Sequence, residues 1–104
     1  MSTVNILQPA KILSSSTTGS LLAAIDRSLA AGDTTILINL QDILFIDSIG
    51  LATLVVALKR VRTANGRLAL CGLNGQAQML LNQSGMEKVF EIYASPEDFT
   101  RLAE

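Results

Sequence analysis

The sequence predicts an α/β fold, a small mixed or parallel β-sheet of about five strands with about four helices packed on it. Two observations carry this. From Thr34 onward, short apolar and β-branched runs alternate with segments whose apolar residues recur at helical spacing. The segments are punctuated by Gly, Asn, Ser and Pro, with no low-complexity linker and no internal repeat, so residues 1–104 read as a single domain.

Taken in order, Val4, Ile6 and Ile12-Leu13 form β-like runs on either side of Pro9-Ala10, an N-terminal pair of strands interrupted by proline. Ser14 to Thr18 supply hydroxyls for a helix cap, and Leu21, Leu22, Ile25, Ser28 and Leu29 then keep helical spacing until Ala31-Gly32. Thr34–Leu40 reads as a central strand covered on both faces. Gln41–Asp47 reads as a loop into a second helix, whose Leu51, Leu54, Val55, Leu58 and Val61 face the sheet and whose exit is Ala64-Asn65-Gly66. Arg67–Cys71 is the next strand, Asn74–Gln83 a third helix stopped at Ser84-Gly85, and Val89–Tyr93 a short last strand. Ser95-Pro96-Glu97-Asp98 then opens a helix with a hydroxyl cap, proline in the first turn and acid at the positive dipole end.

Composition narrows the function. The chain has 104 residues, 49% of them hydrophobic and 16% charged, with eight basic and nine acidic side chains, no His and one Cys. Without His, neither a Ser-His-Asp nor a Cys-His nucleophile can be assembled, nor an imidazole zinc site. Near-neutral charge, a pI of about 5.3 and few aromatic residues do not suit a nucleic-acid partner. Mean hydropathy is high at +0.42. The most apolar stretch, Ile49–Leu58, is nonetheless well short of the ~20 residues of a membrane span, which predicts a buried core without membrane insertion. Met1–Asn5 has neither the basic nor the apolar region of an export signal, and the lone Cys71 cannot form an internal disulfide, so a cytoplasmic setting is expected. Gly72 and Gly75 are too few and wrongly spaced for a dinucleotide or P-loop site, and the sequence calls for no cofactor.

In an open α/β sheet, ligands and partners meet the loops at the carboxyl ends of the strands, where the next helix begins. Here that place is Ile46-Asp47-Ser48-Ile49-Gly50. Asp47 or Ser48 can cap the helix, and a phosphate on Ser48 would lie against free N–H groups at the positive end of the macrodipole. Such a phosphate keeps the helix and changes the surface, adding about −1.5 to −2 charges beside Asp47.

The stretch Asn39-Leu40-Gln41-Asp42-Ile43-Leu44-Phe45-Ile46-Asp47-Ser48-Ile49-Gly50-Leu51 resembles the signature of the STAS domain family, specifically the bacterial anti-sigma factor antagonists. Their pattern is an Asp-Leu strand end, an apolar loop and Asp-Ser-Ser-Gly-Leu at a helix start. The likeness continues through Asn65-Gly66 and through Leu80, Ser84-Gly85-Met86 and Phe90. It implies a STAS-like fold and a binding module that is a substrate of enzymes and not one itself. In the family the Ser after the Asp is phosphorylated by an anti-sigma factor that is also a GHKL-type serine kinase, and a PP2C-type phosphatase reverses the step. The unphosphorylated form binds the kinase and the phosphorylated form is released. By resemblance Ser48 would be the switch and Asp47 its neighbouring acid.

The chain departs from the pattern at Ile49, which replaces the second Ser, at Asn39, which replaces Asp, at Ala52, where Gly is common, and at Ala10–Leu13, which lacks the family's acid. Beyond the motif, the second helix is expected to turn Ala52, Thr53 and Val56 outward as a docking surface, with Lys59, Arg60 and Thr63 as a solvated face. The partner-binding set is therefore Asp47, Ser48, Ile49, Gly50, Ala52, Thr53 and Val56. Three rival readings stand beside it. Ser48 is only a helix cap, the chain is a stand-alone STAS subunit of a membrane transporter assembly, or a small enzyme uses Asp47 or Ser48.

Overall fold

The computed structural model describes residues 4–9 and 11–103. Met1–Thr3, read above for an export signal, and Ala10, read as part of the proline interruption, lie outside them. Strands β1 (Val4–Leu7), β2 (Ile12–Leu13), β3 (Thr35–Asn39), β4 (Phe45–Ile46), β5 (Arg67–Cys71) and β6 (Glu91–Tyr93) alternate with helices α1 (Thr18–Ala30), α2 (Ser48–Thr63), α3 (Gly75–Ser84) and α4 (Pro96–Ala103).

The strands form a four-stranded sheet in the order β1-β3-β5-β6 and a separate two-stranded ladder of β2 with β4, and every pairing among the described residues is parallel. Each step of the larger sheet moves the same way across it. Crossovers of one hand then place their helices on one face, and the core bears this out: Leu21 and Ile25 of α1, Leu54, Leu58 and Val61 of α2, and Ala77 and Leu81 of α3 pack with Ile36, Ile38, Leu68 and Leu70. The opposite side chains of the same strands, Leu37, Ala69 and Cys71, are covered by Phe99 of α4. Both inner strands are thus buried on two faces, which is why they read as continuous apolar runs.

The ends of the helices follow from their residues. Asn65 adopts a left-handed φ of 60° after α2, and Gly85 a φ of 76° after α3. Ser95 Oγ accepts from the Asp98 N–H at 3.2 Å, capping α4.

Three expectations change. The N-terminal runs do not pair with each other: β1 joins β3, and β2 joins β4. The segment Gln41–Asp47 is not all loop, since Phe45-Ile46 is β4. The last strand begins at Glu91, because Met86–Lys88 form a 3-10 turn that directs Phe90 into the core.

Candidate functional site

The start of α2 is built on the small β2–β4 ladder. Ile12 pairs with Phe45 and Leu13 with Ile46, so alternation buries Leu13 and Ile46 beneath the helix and turns Ile12 and Phe45 outward. Asp47 follows in extended conformation as the N-cap, its Oδ1 accepting the Gly50 N–H at 2.8 Å. Its own N–H donates to the Leu13 carbonyl at 3.3 Å, tying the cap to β2.

Gly50 is buried and set against Leu13, where a Cβ would lie 2.1 Å from the Leu13 carbonyl oxygen. The motif's glycine is therefore a packing requirement: α2 reaches this close to β2 only without a side chain.

A second tether comes from α3. The Ile46 N–H donates to Gln76 Oε1 at 2.8 Å, and Gln76 Nε2 donates to the Ile46 carbonyl at 2.7 Å. One planar amide thus satisfies both main-chain polar groups of Ile46, the residue immediately before the cap.

Ser48 is exposed in the first turn of α2, and Asp47, not Ser48, supplies the cap. Ile49 beside it is 50% exposed, and around them Leu44 is 71%, Ile12 49% and Phe45 45% exposed. Four large apolar side chains on or next to the ladder and the start of α2 are thus left in water. Sequence reasoning missed Ile12, Leu44 and Phe45. The missing signal was the two-residue ladder, whose alternation decides which of these side chains turn outward.

The outward face of α2 is only partly as expected. Ala52 and Val56 are exposed, but Thr53 is buried at 5% exposure, its Oγ1 donating to the Ile49 carbonyl at 2.9 Å. A threonine in a helix can retire its hydroxyl onto the preceding turn, which lets the methyl side pack inward. Gly50 and Thr53 therefore shape the site from within, and Asp47, Ser48, Ile49, Ala52 and Val56 reach its surface. Lys59, Arg60 and Thr63 are exposed, Arg60 pairing with Asp26 of α1 at 2.8 Å. Asn39 is buried, and its Oδ1 accepts the Gln41 N–H at 3.1 Å, so the amide turns the chain where β3 ends.

The Ser14–Thr18 hydroxyls do not cap α1 as expected: Thr17 stands at the cap position without a side-chain cap bond, its Oγ1 instead accepting the Ser14 N–H at 3.0 Å and donating to the Ile12 carbonyl of β2 at 2.8 Å. Among the described residues, no three Cys, Asp or Glu side chains come together to hold a metal ion, and no helix is long and apolar enough to cross a membrane.

The comparisons with known proteins agree with this layout. The profile of the STAS domain matches residues 2–99. An anti-sigma F factor antagonist of Paenibacillus polymyxa is 33% identical over 58 residues, and the match spans 56% of this chain and half the length of that relative. A crystal structure of a candidate anti-sigma factor antagonist from Thermotoga maritima superposes with a TM-score of 0.85 at 26% identity, covering 94% of this chain and 85% of that one. The anti-sigma factor antagonist SpoIIAA in its unphosphorylated form shares the fold, with a TM-score of 0.72 at 18% identity over 96% of this chain and 89% of that one. The phosphorylated form of Bacillus SpoIIAA gives 0.70 at 19% identity, over 95% and 90%. On the family match and on the ladder, cap and glycine that build its helix start, the chain belongs to the STAS domain family.

Proposed function

We propose that this chain is an anti-sigma factor antagonist that works as a phosphorylation-gated binding module in the cytoplasm and carries no catalysis of its own. Unphosphorylated, it binds an anti-sigma factor serine kinase of the GHKL type. Phosphate on Ser48 releases that partner, and a PP2C-type phosphatase restores binding.

The observation that carries this reading is the setting of Ser48: exposed in the first turn of α2, not used as the cap, and bordered by the exposed apolar side chains Leu44, Phe45 and Ile49. The apolar surface supplies attraction to a partner and the hydroxyl supplies the gate. The named relatives support the antagonist assignment. Two added charges about 5 Å from a partner carboxylate repel by about 2 kcal/mol in water-like surroundings, and by up to about 7 at an effective dielectric of 20. Since each 1.4 kcal/mol is about tenfold in affinity, one phosphate suffices as a switch without any refolding.

The test is a pull-down from native lysate with wild-type, Ser48→Ala, Ser48→Asp and Phe45→Ala baits, with phosphate mapped on the wild type. A serine kinase held by wild type and Ser48→Ala, lost with Ser48→Asp and weakened at least tenfold by Phe45→Ala is the expected result. A partner held equally by all baits, with Ser48 unmodified, would replace the switch with a constitutive role such as a subunit of a transporter assembly.

A further inference from the structure

We infer that Gln76 is a positioning residue for the Ser48 site: its side-chain amide stands beside β4 in place of a neighbouring strand and fixes the Ile46 backbone from which the Asp47 cap and Ser48 are presented. The inference rests on the reading of Ser48 as a phosphorylation switch.

β4 is two residues long, and a ladder that short holds its geometry poorly without support on both edges. Alternate residues of a strand direct their polar groups to opposite edges. On one edge the Phe45 and Asp47 N–H groups donate toward the Lys11 and Leu13 carbonyls of the β2 segment, at 3.4 and 3.3 Å. On the other edge Ile46 directs both its N–H and its carbonyl at Gln76, at 2.8 and 2.7 Å. On the first edge the Leu44 N–H also donates to the Lys11 carbonyl, at 2.7 Å, so β4 is held from both sides and α3 supplies the second of them.

At neutral pH only one kind of side chain satisfies both groups. A planar primary amide presents one acceptor and one donor side by side, as one residue of a neighbouring strand would, whereas a carboxylate would face the Ile46 carbonyl with like partial charge and Asn is a methylene shorter. Ile46 itself is wholly buried, but Gln76 is exposed at its own position on α3. Removing the amide therefore admits water to the Ile46 peptide without opening the core. The consequence is local: the turn loosens, and the hydroxyl two residues on loses its fixed direction toward the kinase.

The experiment has two readouts on the full chain. Amide exchange by NMR compares wild type with Gln76→Ala and Gln76→Glu. The kinase recovered with the Ser48→Ala bait is then used with ATP to measure the initial rate of Ser48 phosphorylation. Expected is a loss of Ile46 protection of at least tenfold in both variants at pH 7, with Leu37 and Leu70 unchanged within twofold, and phosphorylation slowed at least fivefold. A protonated carboxyl again carries both a donor and an acceptor, so protection of Ile46 in Gln76→Glu recovers at pH 4 while that of Gln76→Ala does not. Unchanged Ile46 protection, protection lost equally at Leu37 and Leu70, or phosphorylation at the wild-type rate each overturns the inference. If no kinase is recovered, or wild type is not phosphorylated while Gln76→Ala still loses Ile46 protection, it is the switch reading that has failed, and the role of Gln76 in recognition falls with it.

Discussion

Gly50 and Leu13 meet where α2 crosses β2, and the approach is so close that any Cβ at Gly50 would stand 2.1 Å from the Leu13 carbonyl oxygen and 2.9 Å from Ile46 Cγ1. The obstacle is backbone, which cannot swing aside as a long side chain can. Gly50→Ala must push the first turn of α2 off the ladder, and a loss of about 3 kcal/mol is expected, at the upper end of overpacking costs. Denaturant melts check this, and a change under ~0.5 kcal/mol would mean that α2 is not seated on β2.

The neighbouring pair separates capping from switching. Asp47 Oδ1 holds the Gly50 N–H at 2.8 Å, whereas Ser48 is exposed and one residue inside the helix. Asp47→Ala is therefore expected to cost about 1 kcal/mol. Ser48→Ala should stay within about 0.5 kcal/mol of wild type, as exposed substitutions away from special features do. Ser48→Asp places a negative charge at the positive end of the dipole and should be neutral or slightly stabilising, by about 0.3–1 kcal/mol at low salt. Thermal melts of the three variants decide it: a larger loss in Ser48→Ala than in Asp47→Ala would return Ser48 to the role of a helix cap.

The sequence makes the helices and inner strands legible because their signals are local. Asn65, Gly85 and Ser95 end or cap their helices through backbone preferences that any reader of the sequence can apply, and Ile36 and Leu70 sit in runs whose burial is uniform. What escaped notice depends on distant pairing. Ile12 and Phe45 are brought together over more than thirty residues by a ladder of only two, too short to leave an alternating pattern. Gln76 is an ordinary polar residue on an exposed helix position until Ile46 is placed beside it. Thr53 fell on the outward side by spacing, and its hydroxyl's bond to the Ile49 carbonyl is what lets it be buried instead. The motif around Ser48 could be read, whereas the surface that surrounds it is a tertiary product.

At the far end of the sheet, Arg67 grips Glu91 with two nitrogens, at 2.6 to 3.1 Å, and lies 5.1 Å from the centre of the Phe99 ring. The Arg67 hydrogen bonds hold the Glu91 carboxyl below its ordinary range, opposed by burial. A carboxyl whose pKa is lower folded than unfolded stabilises above its unfolded value, about 4.3, and that contribution disappears as pH falls through the folded value. Glu91→Gln should therefore be less stable than wild type at pH 7, with the difference vanishing in acid. Both side chains are about 40% exposed, so solvent screening keeps the effect to about 1 kcal/mol or less, smaller still at high salt. Urea melts of both proteins from pH 7 to pH 3 test this, and a difference that persists at pH 3 would assign the loss to packing instead.

Cys71 gives the opposite dependence. It lies wholly buried under α4 beside Phe99, and burial pushes its thiol up from 9.0 to about 11, with the Glu97 carboxylate adding to the rise. An acid with a higher pKa folded than unfolded keeps its proton in the native state while the unfolded chain gives it up. Stability is then unaffected below the unfolded value and declines as pH rises from about 8.5 toward the folded one, by up to about 3 kcal/mol. Cys71→Ala removes this portion of the decline, so its stability relative to wild type should improve steadily between pH 8.5 and 11. The same burial makes the native thiol unreactive: labelling by a thiol reagent at pH 8 should be at least about a hundredfold slower than in the denatured chain. Labelling at the denatured rate would mean that α4 does not cover this face, and it would remove the basis of the alkaline prediction as well.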